Sequence, residues 1–208
     1  MNTLAVALAR LCDQVASSIG RKRYGNTFAT SSLHKALTSS YAAKGRLLHY
    51  FPREKSTAQL SAWCGAHCDH SVLTALCSAM FVDERSGLQV SPPQGTGLYI
   101  HKDNKNYKAS IPADCIAIQL GESAEIITGG ALSSTVHSVR PSEEPHISRS
   151  TFAVFFQPNP DYMLRLPTVV KNVRDKTDVP SLTSRFPPSP GQCTFGEFAS
   201  KTVKAYVA

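Results

Sequence analysis

The 208-residue sequence lacks several features that would assign it to a common class of protein. It contains no run near the roughly 18 apolar residues that a membrane-spanning helix needs. Its six cysteines are too few and too irregularly spaced for a disulfide scaffold, which favours a reducing compartment. It also has no phosphate-binding loop, dinucleotide fingerprint or Gly-x-Ser-x-Gly nucleophile elbow. These absences argue against a membrane protein, a disulfide-rich secreted domain and the common nucleotide-binding or hydrolase classes.

Acidic residues are scarce in the first quarter of the chain. Residues 1–53 contain eight Lys or Arg but a single acid, Asp13, and this excess equals the net charge of +7 of the whole chain. Such a segment could bind nucleic acid or anionic lipid, and its Ser-rich, acid-poor composition also resembles a mitochondrial transit peptide. Because only Arg21–Arg23 form a cluster, a solvated basic helix and loop is the favoured interpretation. We therefore expect a cytoplasmic protein, with the mitochondrion as the alternative.

Three stretches of the sequence favour helix. Residues 2–19 carry apolar side chains at three- and four-residue spacings, and Gly20 is the expected stop. A short helix is expected near residues 32–39 and a longer one near residues 195–207. The tail after Pro158 is rich in proline and charge, which is typical of an irregular wrap that ends in the last helix.

Short apolar or alternating segments, separated by Gly, Pro, Asn or Ser, fill the middle of the chain. They span residues 46–51, 72–81, 97–101, 114–120, 124–128, 133–139 and 149–156. Many short strands with such punctuation indicate a β-sandwich or barrel. Periodicity alone leaves residues 72–80 open between helix and strand. The pattern as a whole predicts a mainly β fold with flanking helices.

The stretch from Trp63 to Met80 contains the densest group of potential metal ligands. His67 and Asp69 lie two residues apart, so on an extended backbone they point to the same face. His137 is the best candidate for a third ligand. Two His and one carboxylate, with other positions open, are the ligand set of non-heme Fe(II) oxygenases.

Cysteine and histidine side chains around His67 also allow a zinc interpretation. Cys64, Cys68 and His70 lie within three residues of it, and Cys and His are the usual zinc ligands. The spacing is tight, and no second Cys/His pair follows at a finger-like interval. Zinc is therefore the weaker alternative.

Five stretches, taken together, resemble 2-oxoglutarate and Fe(II)-dependent oxygenases of the isopenicillin-N-synthase-like branch. In chain order they are Arg46–Pro52, His67–Leu76, Gly87–Val90 or Gly97–Ile100, Gln119–His137 and Arg149–Phe156. The likeness covers roughly the central half of the chain, and its specificity comes from the order of the whole series. It implies a double-stranded β-helix, or jelly-roll, core over residues 46–158. Residues 1–45 would then form a helical N-terminal support, and residues 159–208 a C-terminal wrap and helix, within a single oxygenase domain.

The resemblance also implies roles for individual residues. The iron ligands would be His67, Asp69 and His137. Arg149 and Thr151 match the pair that binds the distal carboxylate of 2-oxoglutarate, with Thr in place of the more usual Ser. An Arg suits this task because its fork meets a carboxylate bidentately.

Two of these assignments have competing interpretations. Arg149 could instead form an internal salt bridge with Glu143 or Glu144. Tyr50 matches the family tyrosine that donates a hydrogen bond to the co-substrate, but a half-buried aromatic on a strand is nearly as good an interpretation. Leu48 stands where an Asn is common in the family, which weakens that contact.

The activity implied by the resemblance is hydroxylation of a small organic substrate. The reaction would use Fe(II), 2-oxoglutarate and O2, with ascorbate as a candidate reductant, and would release succinate and CO2. One alternative is a catalytically weak or inactive jelly-roll that serves as a binding or regulatory module, because only 45 residues precede the first motif. Another is an iron oxidase that does not use 2-oxoglutarate. We expect a monomer with a small-molecule substrate, and nucleic acid is disfavoured as a partner.

Overall fold

The computed structural model describes residues 1–25, 31–53, 62–166, 179–188 and 191–207. Part of the predicted C-terminal wrap, residues 167–178 and 189–190, lies outside the described residues. The helices are α1 (Asn2–Tyr24), α2 (Leu33–Thr38), α3 (Glu122–Ile127) and α4 (Phe195–Val207), and a 3-10 turn spans Thr183–Arg185. The strands are β1 (Lys44–Tyr50), β2 (Cys64–His67), β3 (Leu73–Cys77), β4 (Met80–Asp83), β5 (Leu88–Val90), β6 (Gly97–Lys102), β7 (Lys105–Lys108), β8 (Ile116–Leu120), β9 (His137–Arg140), β10 (Ile147–Phe156), β11 (Met163–Arg165) and β12 (Gln192–Thr194).

Two antiparallel sheets form the centre of the fold. The larger sheet has the order β5-β4-β10-β3-β8, and β1 pairs with the other edge of β10. The smaller sheet has the order β2-β9-β6-β7, and a separate ribbon joins β11 to β12. Side chains of both sheets line one cavity, which places the sheets face to face as in a jelly-roll. The predicted mainly β fold with flanking helices is confirmed.

Strand β10 organises the larger sheet because it pairs along its whole length. It faces β1 on one side, and β3 and β4 on the other. Successive side chains of a strand point to opposite faces. Arg149, Thr151, Ala153 and Phe155 therefore face the cavity together, whereas the side chains between them point away from it.

The hydrophobic core lies on the face of the larger sheet that is turned away from the cavity. It combines side chains from the helices with side chains from β3 and β10, among them Ala5, Leu33, Leu73, Phe156 and Phe198. Burying one Leu or Phe side chain stabilises the fold by roughly 1.5–3 kcal/mol. The helices at both ends of the chain thus fix the sheet whose opposite face carries the cavity.

The predicted strand over residues 124–128 is wrong, because this segment is helix α3. The five residues Ala-Glu-Ile-Ile-Thr are too few for their period to distinguish strand from helix. Residues 72–81 also form two strands, β3 and β4, rather than one.

The predicted end of the first helix is also wrong. Helix α1 continues past Gly20 to Tyr24, and its C-cap is Gly25, whose φ of 89° favours glycine. The Gly25 N–H donates to the Arg21 carbonyl. Three basic residues, 21–23, occupy the last turn, where a positive charge interacts favourably with the helix dipole.

Candidate metal and co-substrate site

A cavity of about 460 Å³ opens between the two sheets. Its walls come from β1, β3, β8 and β10 of the larger sheet and from β2, β6 and β9 of the smaller one. Thr202, Val203 and Tyr206 of α4 cover one side. The volume falls in the range of about 300–1,000 Å³ that is typical of small-molecule sites.

Three of the predicted site residues meet inside this cavity. His67 ends β2, His137 begins β9, and the two are direct cross-strand partners with ring centroids 4.2 Å apart. Asp69 follows β2, and its Oδ1 lies 3.7 Å from His67 Nε2 and 3.8 Å from His137 Nε2. The potential ligand atoms all lie within 4.8 Å of one another. One ion could therefore contact all three side chains.

Backbone contacts set the orientation of both imidazoles. His67 Nδ1 lies 2.8 Å from the Gly65 carbonyl oxygen, and His137 Nδ1 lies 3.0 Å from that of Thr135. A carbonyl only accepts, so each Nδ1 carries a hydrogen and donates it. In a neutral ring the only nitrogen-bound hydrogen is then on Nδ1, and the lone pair of Nε2 is directed at Asp69. This is the tautomer that metal-binding histidines usually show.

The Asp69 carboxylate divides its two oxygens between different tasks. Its Oδ2 accepts hydrogen bonds from Thr74 Oγ1 and Gln119 Nε2, both at 2.7 Å. Its Oδ1 faces the two imidazoles. Gln119 Nε2 also lies 3.2 Å from His137 Nε2, so the amide joins the carboxylate to the second imidazole. These contacts hold the side chain with one oxygen directed at the centre of the three groups.

The two imidazoles differ in their protonation. Burial lowers the pKa of His137, which favours the neutral form that binds metals. Burial also lowers the pKa of His67, but the Cys64 sulfur, the Gly65 carbonyl and the Asp69 carboxylate outweigh it and raise the pKa to about 9. His67 is then protonated at neutral pH, so metal binding must release one proton from it.

The donor set fits Fe(II) better than structural zinc. His67, Asp69 and His137 are the only cluster of three or more potential ligands within the described ranges. Two imidazoles and one carboxylate suit non-heme iron, whereas closed zinc sites are rich in thiolate. The Cys68 sulfur turns to Ser134 Oγ, 3.7 Å away, while the Cys64 sulfur contacts His67. The described residues thus do not assemble the four-residue Cys/His site that a structural zinc ion would need.

Arg149 is a buried cation that has no anionic partner among the described residues. Its side chain is buried, and Nε and Nη1 have no hydrogen-bond partner among the described residues. Its guanidinium carbon lies 5.2 Å from the centroid of the Tyr50 ring, and burial lowers its pKa. The alternative salt bridge to Glu143 or Glu144 is not formed, since both residues are exposed. A buried guanidinium without an anion is costly, which favours a ligand with a negative charge.

Tyr50 and Thr151 lie beside Arg149 in the same cavity. Tyr50 is the cross-strand partner of Arg149, and Thr151 is that of Leu48. Burial raises the pKa of Tyr50, which keeps its hydroxyl protonated and able to donate. Thr151 Oγ1 donates to the Cys77 carbonyl oxygen at 3.1 Å. Its hydroxyl can therefore donate to a ligand only after rotating away from this carbonyl.

Gly121 allows the close approach of the chain segments around Asp69. The Glu122 N–H donates to the Asp69 carbonyl at 2.7 Å, and the Gly121 N–H donates to that of Val72 at 2.9 Å. A Cβ on Gly121 would overlap the Ser71 carbonyl oxygen and lie 2.9 Å from that of Asp69. The Asp69 segment thus depends on the missing side chain.

The Gly121→Ala substitution is accordingly expected to lower the free energy of unfolding by about 1–3 kcal/mol, as overpacking does. It should also weaken metal binding, because the backbone that carries Asp69 must move. Chemical denaturation and an Fe(II) titration measure the two effects. The control is Gly65→Ala, where a Cβ meets nothing within 4 Å. Equal stability of the two variants would contradict the steric explanation.

Helix α4 brings Tyr206 to the triad. The Tyr206 hydroxyl accepts a hydrogen bond from the Cys68 N–H at 3.0 Å, and its ring stands edge-on to His67 with centroids 6.2 Å apart. Burial raises the pKa of Tyr206 to about 12, so the phenol is neutral. The hydroxyl is thus hydrogen-bonded to the backbone between His67 and Asp69, two of the predicted ligands.

A buried ion pair holds α4 in place. Arg185 Nη1 and Nη2 contact the two carboxylate oxygens of Glu122 at 2.6 and 2.7 Å. Arg185 Nη1 also donates to Thr202 Oγ1 of α4 at 2.8 Å. The exposed fractions of Glu122 and Arg185 are 0% and 2%, so this pair is excluded from solvent.

The sequence alone does not indicate functional roles for Thr74, Gln119 and Tyr206. The partners of Asp69 depend on the register of β3 and β8, which places Thr74 opposite Gln119. Nothing in a single sequence gives that register. Thr202 and Tyr206 lie four residues apart on one helical face, but the spacing does not show where the helix packs.

None of the described helices, including the 23-residue α1, is long and apolar enough to cross a membrane.

Comparison with known proteins gives three relevant matches. The UPF0676 protein C1494.01 of Schizosaccharomyces pombe is 30% identical over 118 residues, which is 56% of this chain and 33% of that protein. The crystal structure of a protein from Caulobacter crescentus, assigned to the 2OG-Fe(II) oxygenase family, superimposes with a TM-score of 0.57 at 23% identity, over 98% of this chain and 56% of the other. A full-length protein of Neurospora crassa, crystallised in complex with alpha-KG and thymine, superimposes with a TM-score of 0.51 at 18% identity, over 79% of this chain and 44% of the other.

The two solved structures confirm the jelly-roll fold. The chain spans one third of the length of the S. pombe relative and about half the length of the solved chains. The family model of the 2OG-Fe(II) oxygenase superfamily matches residues 44–158, which is more than half of the chain. This protein therefore belongs to the 2OG-Fe(II) oxygenase superfamily.

Proposed function

We propose that the protein is an Fe(II) and 2-oxoglutarate-dependent dioxygenase that hydroxylates a small organic substrate and releases succinate and CO2. One observation carries the proposal: a two-His, one-carboxylate cluster and a buried arginine without an anionic partner line the same cavity. The first suits iron, and the second suits the far carboxylate of a diacid.

Each residue of the proposed site would act by holding or orienting a group. His67, Asp69 and His137 would hold the iron, with the contacts of their remaining atoms fixing their direction. Bound iron would supply the activation of O2 that side chains lack. Arg149 would bind the distal carboxylate of 2-oxoglutarate, and Tyr50 would donate a hydrogen bond to it.

The walls of the cavity would limit the access of water. Leu76, Val139 and Phe155 line it from both sheets, and Val203 adds an apolar side chain from α4. Exclusion of water strengthens the polar contacts inside a site and suppresses side reactions. The Neurospora crassa structure, with alpha-KG and thymine bound, supports a cavity of this fold that holds a co-substrate and a small substrate together.

We further propose a monomer in a reducing compartment, the cytoplasm in the first place and the mitochondrion as the alternative. All six cysteines lie among the described residues and none of them forms a disulfide, which agrees with such a compartment.

The proposal is tested by anaerobic titration of the metal-free protein with Fe(II) and then 2-oxoglutarate. A visible charge-transfer band should appear only when both are present, and exposure to O2 should then produce succinate. The Arg149→Gln substitution should weaken 2-oxoglutarate binding by about 10–100-fold, since a buried hydrogen-bonded charge pair is worth about 1.5–3 kcal/mol. Fe(II) binding in this variant should be unchanged.

Arg165→Gln is the matched control, because Arg165 is exposed on β11 and outside the cavity. If no band forms although Fe(II) binds, the proposal fails in favour of an iron oxidase that does not use 2-oxoglutarate. If neither Fe(II) nor 2-oxoglutarate binds, a metal-free binding or regulatory module takes its place.

A further inference from the structure

Strand β1 presents two more cations to the cavity. Lys44, Arg46, Leu48 and Tyr50 alternate along the strand and all line the cavity. With a rise of about 3.3 Å per residue, the Cα of Arg46 lies about 13 Å along the strand from that of Tyr50. Tyr50, at the other end of β1, is paired with Arg149 of β10, so the two cations of β1 lie at the opposite end of the strand from Arg149.

The pairing of the strands places Lys44 and Arg46 towards the triad. Lys44 is the cross-strand partner of Phe155, and Phe155 is that of Thr74. Thr74 is the residue that donates to Asp69. Lys44 and Arg46 thus lie at the end of the cavity wall away from Arg149. This is the end near Thr74, the residue of β3 that donates a hydrogen bond to Asp69.

The charges in the cavity are unbalanced. Once a metal has displaced the proton of His67, the charged side chains of the lining, among the described residues, are the cations Lys44, Arg46 and Arg149 and a single acid, Asp69. In the proposed function 2-oxoglutarate neutralises Arg149, and iron neutralises Asp69. Within the described part of the chain, neither Lys44 nor Arg46 forms an ion pair with a carboxylate. Both side chains are exposed to solvent, and both remain available to a second anion.

Arg46 is also held against the cavity wall. Its guanidinium carbon lies 5.2 Å from the centroid of the Phe155 ring, a cation–π arrangement that orients the side chain along the wall. An arginine on an aromatic face keeps its planar edge free for a carboxylate. The cavity is also lined by the apolar side chains of Leu76, Ile111 and Val203.

We infer that the substrate to be oxidised is a small carboxylic acid with an apolar body, whose carboxylate binds Arg46 and Lys44. The inference rests on the proposed function and adds the substrate class to it. The apolar body of the substrate would lie against the aliphatic side chains of the cavity, and the two cations would bind its carboxylate. A lysine and an arginine with a purely solvated role would show no preference for an anion over a neutral molecule of the same shape.

The test measures binding without turnover. The full chain is loaded with Mn(II) in place of Fe(II) and with saturating 2-oxoglutarate, so that Arg149 is occupied. Phenylacetate, phenylpropionate and phenylbutyrate are then titrated by calorimetry beside their primary amides. The best acid should bind at least about tenfold more tightly than its amide, as a charge-assisted contact is roughly twice as strong as a neutral one.

Substitutions show whether the two cations cause this preference. The double substitution Lys44→Gln and Arg46→Gln should bring acid and amide to within about threefold of each other, whereas the control Lys105→Gln, exposed on β7, should keep the full ratio. An acid preference that survives the double substitution would overturn the inference, and so would its absence from the wild type with all three acids. Tighter binding of phenylalkyl phosphates than of the acids would overturn the assignment of a carboxylate.

Failure of the proposed function would look different. Binding of 2-oxoglutarate is measured on the same samples and depends on Arg149, not on Lys44 or Arg46. If 2-oxoglutarate does not bind the wild type, the proposed function fails, and the ratio of acid to amide is then measured with Mn(II) alone. If 2-oxoglutarate binds and the ratio is insensitive to the double substitution, only the substrate inference fails.

Discussion

Replacing Asp69 with asparagine is expected to abolish tight Fe(II) binding and, with it, the turnover of 2-oxoglutarate. Thr74 and Gln119 both donate to Asp69 Oδ2, so the carbonyl oxygen of an asparagine must take that place to accept them. Its NH2 group then takes the place of Oδ1, which lies 3.7 and 3.8 Å from the two imidazole Nε2 atoms. The variant would direct a donor, instead of an anion, at the cation.

The expected loss of Fe(II) affinity exceeds the roughly 10–100-fold that removal of an outer hydrogen-bond partner costs at a metal site. The fold should survive, because the asparagine keeps both hydrogen bonds and the volume of the aspartate. Anaerobic Fe(II) titration, succinate production and thermal unfolding measure these three outcomes. Asp161→Asn, on an exposed turn, is the control. Unchanged succinate production by Asp69→Asn would refute the ligand assignment.

Replacing Arg185 with methionine is expected to destabilise the protein by about 3–5 kcal/mol, the cost of breaking a buried ion pair by removing one of its members. Glu122 is fully buried, and both of its carboxylate oxygens contact this arginine. The same substitution removes the hydrogen bond to Thr202 of α4. The helix that carries Tyr206 should therefore loosen, and 2-oxoglutarate turnover should fall along with stability.

Chemical denaturation measures this effect against two comparisons. Arg85→Met breaks the bidentate pair between the exposed Arg85 and the half-buried Asp83, and should change stability little because solvent screens such pairs. The double substitution Glu122→Leu and Arg185→Met removes both charges and should be more stable than Arg185→Met alone. Equal stability of the two Arg185 variants would show that the loss comes from packing rather than from the broken ion pair.

The β character of the fold follows from the sequence because alternation and turn residues are local signals. The strand predicted at residues 46–51 is β1, and that at residues 149–156 lies within β10. The prediction for residues 124–128 was wrong because so short a segment does not reveal its period. All six residues of α3 are buried, Glu122 and Glu125 among them, so no exposed polar face marks the helix. The end of α1 was missed because Gly20 is a weaker stop than Gly25, which adopts a positive φ.

Only those residues of the candidate site that match the sequence pattern of the family could be predicted. His67, Asp69 and His137 were named from the sequence, and the structure brings them together, while their role as iron ligands stays a prediction. The contacts that orient them arise from strand register, which is a property of the folded chain. The position of Arg46 beside Phe155 also arises from strand register and could not be predicted from the sequence.

Asp69 connects the two layers of the sandwich. It follows β2 of the smaller sheet, but its Oδ2 is bonded to side chains of β3 and β8 in the larger one. A cation shared by Asp69 and His137 would act as a removable cross-link between the layers, and any species that binds only the folded chain raises its stability. Metal binding in the cavity and the free energy of unfolding would then be linked. Removal of iron would make the protein easier to unfold.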